Sequence, residues 1–504
     1  MSSTQTTIPT SAGVAVAGVM LAVFLFAIDA TIVSSAMPTV VSQLGDIDLY
    51  SWVFSVYMLT SALATPIFGK LSDLYSRRTL ILLAIATFVL GSVACGAAQT
   101  MTQLIVFRAV QGMGGGAVYA LAFIIVGVVF PVEQRARMQG LIASVWGVAS
   151  VLGPAGGGFI AEYWDWRWIF WINLPLGVTA AGLIIAGFRE QRADGARRSL
   201  DLAGAAILLS ALMLLFYGLL VAANQLDLVT AESVSVVVGV AVLFALFIVI
   251  EGKARDPLLP MALFRLPGYS RPTYLSLLAA MGIFGVIGFL PLYVQGALGG
   301  SATLAGLTLL PLSVGWTVGS LTSGRVTPVW GYRRVCATGM TLMVSGYIPF
   351  MLLEEAGGMT VMLVATFASG TGMGMTNVTA LVAAQSAVPF QNLGVATSTL
   401  MLFRTIGGAL IISIMGSILL QRMNAAFTVI AADLKASVSE SVLQKLLNPQ
   451  NLLDPATRAL IPADLMPALI GALVNALWWA FLVGLGAAAA GLALSCFLQG
   501  KSST

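Results

Sequence analysis

Long apolar runs separated by short polar and basic interruptions repeat along the whole chain. A run of about 18 or more apolar residues predicts a membrane-crossing helix, because a helix of that length spans the hydrocarbon layer with its backbone bonds made internally. About fourteen such runs are legible, near 13–41, 50–71, 79–99, 103–127, 138–160, 168–187, 203–222, 234–250, 273–296, 303–323, 335–353, 360–382, 395–419 and 468–497. The pattern predicts an all-α polytopic membrane protein. Two features break its regularity. A carboxylate, Asp29, stands in the middle of the first run. Segment 420–467 is the one sizeable piece expected outside the membrane, and it reads as short amphipathic helices broken at Asn448–Pro449 and Asp454–Pro455.

Composition supports this class. Hydrophobic residues make up 59% of the 504 and charged residues only 9%, whereas a soluble domain is roughly a quarter charged. The cations then orient the chain. With the N-terminus in the cytoplasm, loops 72–78, 128–137, 188–202, 251–272, 324–334 and 383–394 face inward and hold most of the 24 lysines and arginines. The opposite side receives Arg167, Arg422, Lys435, Lys445 and Arg458, while Arg108 and Arg404 fall inside helices. The excess of cations on cytoplasmic loops places both termini in the cytoplasm and the protein, multi-pass, in the cell inner (cytoplasmic) membrane. The net charge of +4 is accounted for by loops that meet lipid headgroups, so no nucleic-acid partner is expected.

Several chemistries are not expected. There is no histidine, which removes the usual metal ligand and proton carrier, and the three cysteines are scattered singly. No phosphate-cradling Gly-x-x-x-x-Gly-Lys-Ser/Thr loop occurs, so ATP is not expected to drive the protein. No pair of carboxylates is placed for acid–base catalysis, so the protein is not expected to be an enzyme and no cofactor is expected. Any titrating group in the membrane must be a carboxylate.

The chain also repeats internally. "GKLSDLYSRR" (69–78) and "GRVTPVWGYRR" (324–334) each follow an apolar helix, open on glycine and a cation, and close on a double arginine. Taking 203–222 and 234–250 as inserted helices gives an N-terminal six-helix bundle over 1–187, an insertion over 188–272 and a C-terminal bundle over 273–504, which carries the loop 420–467.

Six stretches carry a resemblance. "GKLSDLYSRR" resembles the cytoplasmic loop signature of the major facilitator superfamily, and "RAVQGMGGG" (108–116) is similar to its Arg-x-x-Gln-Gly signature. "GVASVLGPAGGG" (147–158) resembles its antiporter signature. "IDATIVSSAMP" (28–38), "WRWIFWINLPLG" (166–177) and "FLPLYVQGALGGSATLAGLTLLP" (289–311) are similar to hallmarks of its fourteen-helix drug:proton antiporter branch. The resemblance implies two six-helix bundles plus two inserted helices and alternating access. It implies proton-coupled export of lipophilic compounds, that is, multidrug efflux. Ser76 departs from the usual second glycine of the first signature, and Pro328 stands where the second half would carry an acid.

Residue roles follow. An ionised carboxylate near a helix centre costs about 2.5–3.5 kcal/mol, so Asp29 is expected to serve proton coupling. A proton and a drug cation can compete for one such site. Arg108 is placed to reach Asp29, and the resemblance ties it to proton transfer. Tyr57, Gln111, Trp146, Gln295, Trp316, Asn377 and Arg404 are candidates for an aromatic and polar substrate cavity. Gly69, Asp73, Arg77 and Arg78 can form a latch at the cytoplasmic helix ends. Gly153, Pro154 and Gly157 can form a close-packed, bendable seam. The helix at 303–323 adds no second acid, so monovalent cations and neutral lipophiles are expected over divalent ones. The expected partners are such substrates, protons and membrane lipids, and the expected state is a monomer. An exporter of a lipid or natural product is the alternative on the same fold; a non-transporting sensor or scaffold is a third.

Overall fold

The computed structural model describes residues 11–46, 49–188, 201–224, 231–254, 257, 259–300, 302–352, 358–437 and 466–499. Among these no strand occurs. Six helices open the chain: α1 (Ser11–Leu44), α2 (Tyr50–Leu74), α3 (Arg77–Gly96), α4 (Met101–Val129), α5 (Val132–Tyr163) and α6 (Trp168–Gly187). A pair follows, α7 (Leu202–Asn224) and α8 (Ala231–Glu251). Then come α9 (Pro267–Leu292), α10 (302–330), α11 (332–351), α12 (Gly358–Ser386), α13 (Leu393–Ser437) and α14 (Met466–Ser495).

The interruptions are chemically specified. The Ser76 hydroxyl accepts from the Thr79 N–H at the start of α3, and Thr100 accepts from Gln103 at the start of α4. Each satisfies one of the amide groups that a helix start leaves open. Between α10 and α11 the helical path is continuous except at Gly331, whose φ of 77° and ψ of 166° turn the chain in a region that a side chain would resist. Among the described residues, ten helical stretches are long and apolar enough to cross a membrane. One of them, Leu304–Met351, has 48 residues. At about 1.5 Å per residue this is twice the hydrocarbon thickness, which accommodates α10 and α11 as separate crossings.

Buried side chains gather into distinct cores. Leu275, Ile283, Met340, Tyr347, Phe350 and Phe481 form a core made wholly from α9–α14. Val23, Phe88, Leu121 and Phe123 belong to a second core that runs from α1–α4 across to Leu381 of α12 and Leu400 of α13, so it joins the two halves. Glycines set how closely the helices approach. Gly112, Gly115 and Gly116 of α4 leave no room for a Cβ against Tyr57, Phe26 and Ser61, so the glycine-rich stretch is a packing device. Helix α8 stands outermost: Val237 is 66% and Val242 58% exposed, as lipid-facing positions should be.

One boundary differs from the sequence reading. Segment 420–467 was expected to leave the membrane as short broken helices, yet α13 continues unbroken to Ser437. No proline or glycine lies between Gln421 and Ser437, and the stretch is rich in helix formers. Residues 438–465, with both expected breaks, lie outside the described residues.

Candidate functional site

Asp29, on α1, has no exposed surface. Arg108 Nη1 of α4 donates to its Oδ2 at 2.6 Å, and Gln111 Nε2, one turn on, donates to Oδ1 at 2.7 Å. Asn173 Nδ2 of α6 adds a third donor at 3.3 Å and also donates to Ser92 Oγ of α3. Arg108 Nη1 donates in addition to Gln111 Oε1 at 2.8 Å, and its guanidinium lies 3.8 Å from the Tyr57 ring centroid. Donors from α4 and α6 thus converge on one carboxylate of α1. Two buried charges are costly unless geometry and further hydrogen bonds compensate them; here each oxygen of Asp29 has a donor, and the cation has an aromatic face. Neutralising either member removes the reason for the other to stay. That is the property a proton-sensitive element needs.

A second buried cation sits deeper toward the basic-loop side. Arg404, on α13, is 8% exposed; Nη1 donates to Asn377 Oδ1 of α12 at 2.6 Å and Nη2 to Tyr119 Oη of α4 at 2.5 Å. It is held inward rather than extended to headgroups. Tyr119 lies eleven residues beyond Arg108, roughly 16 Å along α4. A path of rings joins the two cations. Tyr57 stacks on Phe26 at 6.0 Å, and Phe26 lies 5.3 Å from Tyr119 and 5.6 Å from the half-buried Trp146.

The basic-loop ends of the two halves are bolted together. Asp73, at the end of α2, accepts from the backbone N–H of Gly394 at 2.9 Å and of Val395 at 3.0 Å. These are open amides of the first turn of α13, where the helix dipole also favours an anion. Arg77 Nη2 stands 3.8 Å from the same carboxylate, and its guanidinium covers Phe390 at 5.5 Å. Gly69 packs against Ser398, and Gly394 against Gly69 and Ser72, so tightly that neither site has room for a Cβ. A buried amide pair, Gln139 Nε2 donating to Gln385 Oε1 at 2.7 Å, closes the next layer. Arg78 works within one half, donating to Ile185 O at 2.8 Å.

The Major Facilitator Superfamily sequence model matches residues 19–412. The chain belongs to the major facilitator superfamily. Within it, the chain is 32% identical over 505 residues to the multidrug transporter protein MdtP of Bacillus subtilis (strain 168), covering 96% of this chain and 92% of that protein. It is 31% identical to multidrug resistance protein 3 of the same organism, covering 93% and 92%. The crystal structure of the human organic anion transporter MFSD10 (TETRAN) matches with a TM-score of 0.60 at 16% identity, covering 95% of this chain and 100% of that one. At that identity the likeness speaks for the fold alone.

The remaining candidates of this superfamily member are dispersed. Gly147 of α5 faces Thr317 of α10 across the halves, while Gly153 faces Thr31 of α1 within one half. Gly157 is buried on α5, and Pro154 falls within the same helix. Trp316 packs against the core of the C-terminal half. Gln295 is half-buried in a π-helical turn, Tyr293–Ala297, at the far end of α9. Neither joins the two cation clusters in the interactions described. Asn173, Tyr119, Phe26 and the Gln139–Gln385 pair escaped the sequence reading. The "WINLP" stretch that carries Asn173 offered a signal: an amide two residues before a proline in an otherwise apolar run.

Proposed function

We propose that the chain is a proton-coupled antiporter that exports lipophilic compounds by alternating access. The observation that carries this reading is the buried Asp29 carboxylate, held by Arg108, Gln111 and Asn173. Ionised, Asp29 holds Arg108 inward. Protonated, it releases the guanidinium to Gln111 and Tyr57, and the packing of α1 against α4 relaxes with it. Two states biased by one proton are the minimum an antiporter requires. The names of the two Bacillus relatives support multidrug efflux as the task, and transport rather than catalysis as the activity.

In this reading the fourteen helices α1–α14 all cross the cell inner membrane and both termini are cytoplasmic. The described arrangement, joined at the basic-loop ends, is the outward-facing state. Neutral lipophiles are the simplest cargo. A monovalent cation reaches the Asp29 carboxylate only when Arg108 leaves it. The protein works as a monomer without a cofactor.

In inverted vesicles, uphill dye transport should collapse to background on adding a protonophore. It should survive ATP depletion when the gradient is maintained separately. Uphill transport that persists without any ion gradient contradicts the reading.

A further inference from the structure

The polar atoms around Arg404 are out of balance. Both described partners of the guanidinium, Asn377 and Tyr119, are neutral, and among the described residues no carboxylate lies within ion-pair distance of it. A guanidinium carries five N–H donors, and the described bonds use two. Tyr119 spends its oxygen as an acceptor, so its own O–H remains to donate. The buried indole Nε1 of Trp146, whose ring lies 5.9 Å from that of Tyr119, has no acceptor among the described residues. Asp29 does not redress this, because its oxygens are taken by Arg108, Gln111 and Asn173. A full positive charge on α13 and unused donors of Tyr119 on α4 and Trp146 on α5 are therefore linked through Tyr119, with no anion in ion-pair contact with Arg404 among the described residues. A buried charge left in that condition is costly.

We propose that Arg404, with Tyr119 and Trp146, forms a recognition site for an acidic group, such as a carboxylate, sulfonate or acidic phenol, on a lipophilic aromatic substrate. The proposal rests on the exporter reading and extends its substrates to acidic amphiphiles. A planar guanidinium meets such groups with two parallel hydrogen bonds. Phe26, 5.3 Å from Tyr119 and 5.6 Å from Trp146, supplies a surface for the substrate's rings. The bond from Arg404 to Tyr119 crosses between the halves, so parting the halves on the basic-loop side breaks it. The guanidinium is then presented to the cytoplasm, where an exporter collects its cargo. The path through Tyr57 and Phe26 keeps an occupant in packing contact with the Asp29 cluster.

The test uses purified protein in nanodiscs of zwitterionic lipid and two fluorescent probes that share one ring system: anilinonaphthalene sulfonate and its uncharged parent, phenylnaphthylamine. Arg404→Gln should weaken sulfonate binding by about tenfold or more, and binding of the parent by less than about twofold. Arg404→Lys should recover part of the loss, and Trp146→Phe should weaken the sulfonate selectively. Equal weakening of both probes, no weakening of either, or no sulfonate binding by the unmodified protein overturns the proposal. These readouts need no gradient. Sulfonate binding through Arg404 without uphill transport of either probe would leave this site standing and remove the exporter reading. Proton-driven transport of the parent with sulfonate binding indifferent to Arg404 would do the reverse.

Discussion

Asp29→Asn should bring proton-driven transport to background while the protein still inserts and folds. Asparagine is nearly isosteric with the carboxylate, and its amide oxygen can still accept from Arg108 or Gln111, whose nitrogens lie 2.6 and 2.7 Å from Asp29. What disappears is the charge and the exchangeable proton. Leaving a buried cation unpaired costs about 3–5 kcal/mol when nothing else holds it. Here Gln111 Oε1 at 2.8 Å and the Tyr57 ring at 3.8 Å remain, so the loss of stability should fall below that range. Thermal unfolding in detergent checks the fold, and gradient-driven dye uptake in inverted vesicles checks the function. Wild-type uptake by the variant would remove Asp29 from the mechanism.

Asp73→Asn should shift the conformational balance toward the state open on the basic-loop side. Two amides of α13 donate to this one carboxylate. Bonds to a charged acceptor are worth about 1.5–3 kcal/mol each. An asparagine retains one carbonyl acceptor and turns an N–H₂ donor toward the other amide, which replaces an attraction with a clash. A change of about 1.5 kcal/mol or more alters the ratio of the two states by at least roughly tenfold. Spin-label distances between α2 and α13 at that end should lengthen in the variant, and transport should fall because the outward state is reached less often. Unchanged distances would show that the glycine contacts of Gly69 and Gly394 hold the halves without the carboxylate.

Much of this site was legible because ionisable groups in apolar runs stand out. Asp29, Arg108 and Gln111 announced themselves by contrast with their surroundings, and they meet in the structure. Asp73 was legible as an acid among cations, but its partners were not, since backbone N–H groups of Gly394 and Val395 carry no side-chain signature. Tyr119 and Phe26 were invisible for the opposite reason: an aromatic ring in an apolar helix contrasts with nothing. The cation preference expected from the sequence takes Asp29 as the substrate's charge partner, and in the structure Arg108 is paired with that carboxylate at 2.6 Å. At the fold level the apolar runs located the helices, and ends without a breaking residue were misplaced, as where α13 runs on to Ser437.

Proton and substrate are expected to occupy the protein in alternation through Asp29. Proton release on substrate binding measures this most directly. Purified protein in weakly buffered solution should release protons when phenylnaphthylamine is added, over a limited span of starting pH, and the Asp29→Asn variant should release none. Binding without proton release by the unmodified protein at every pH, or equal release by the variant, would contradict the account.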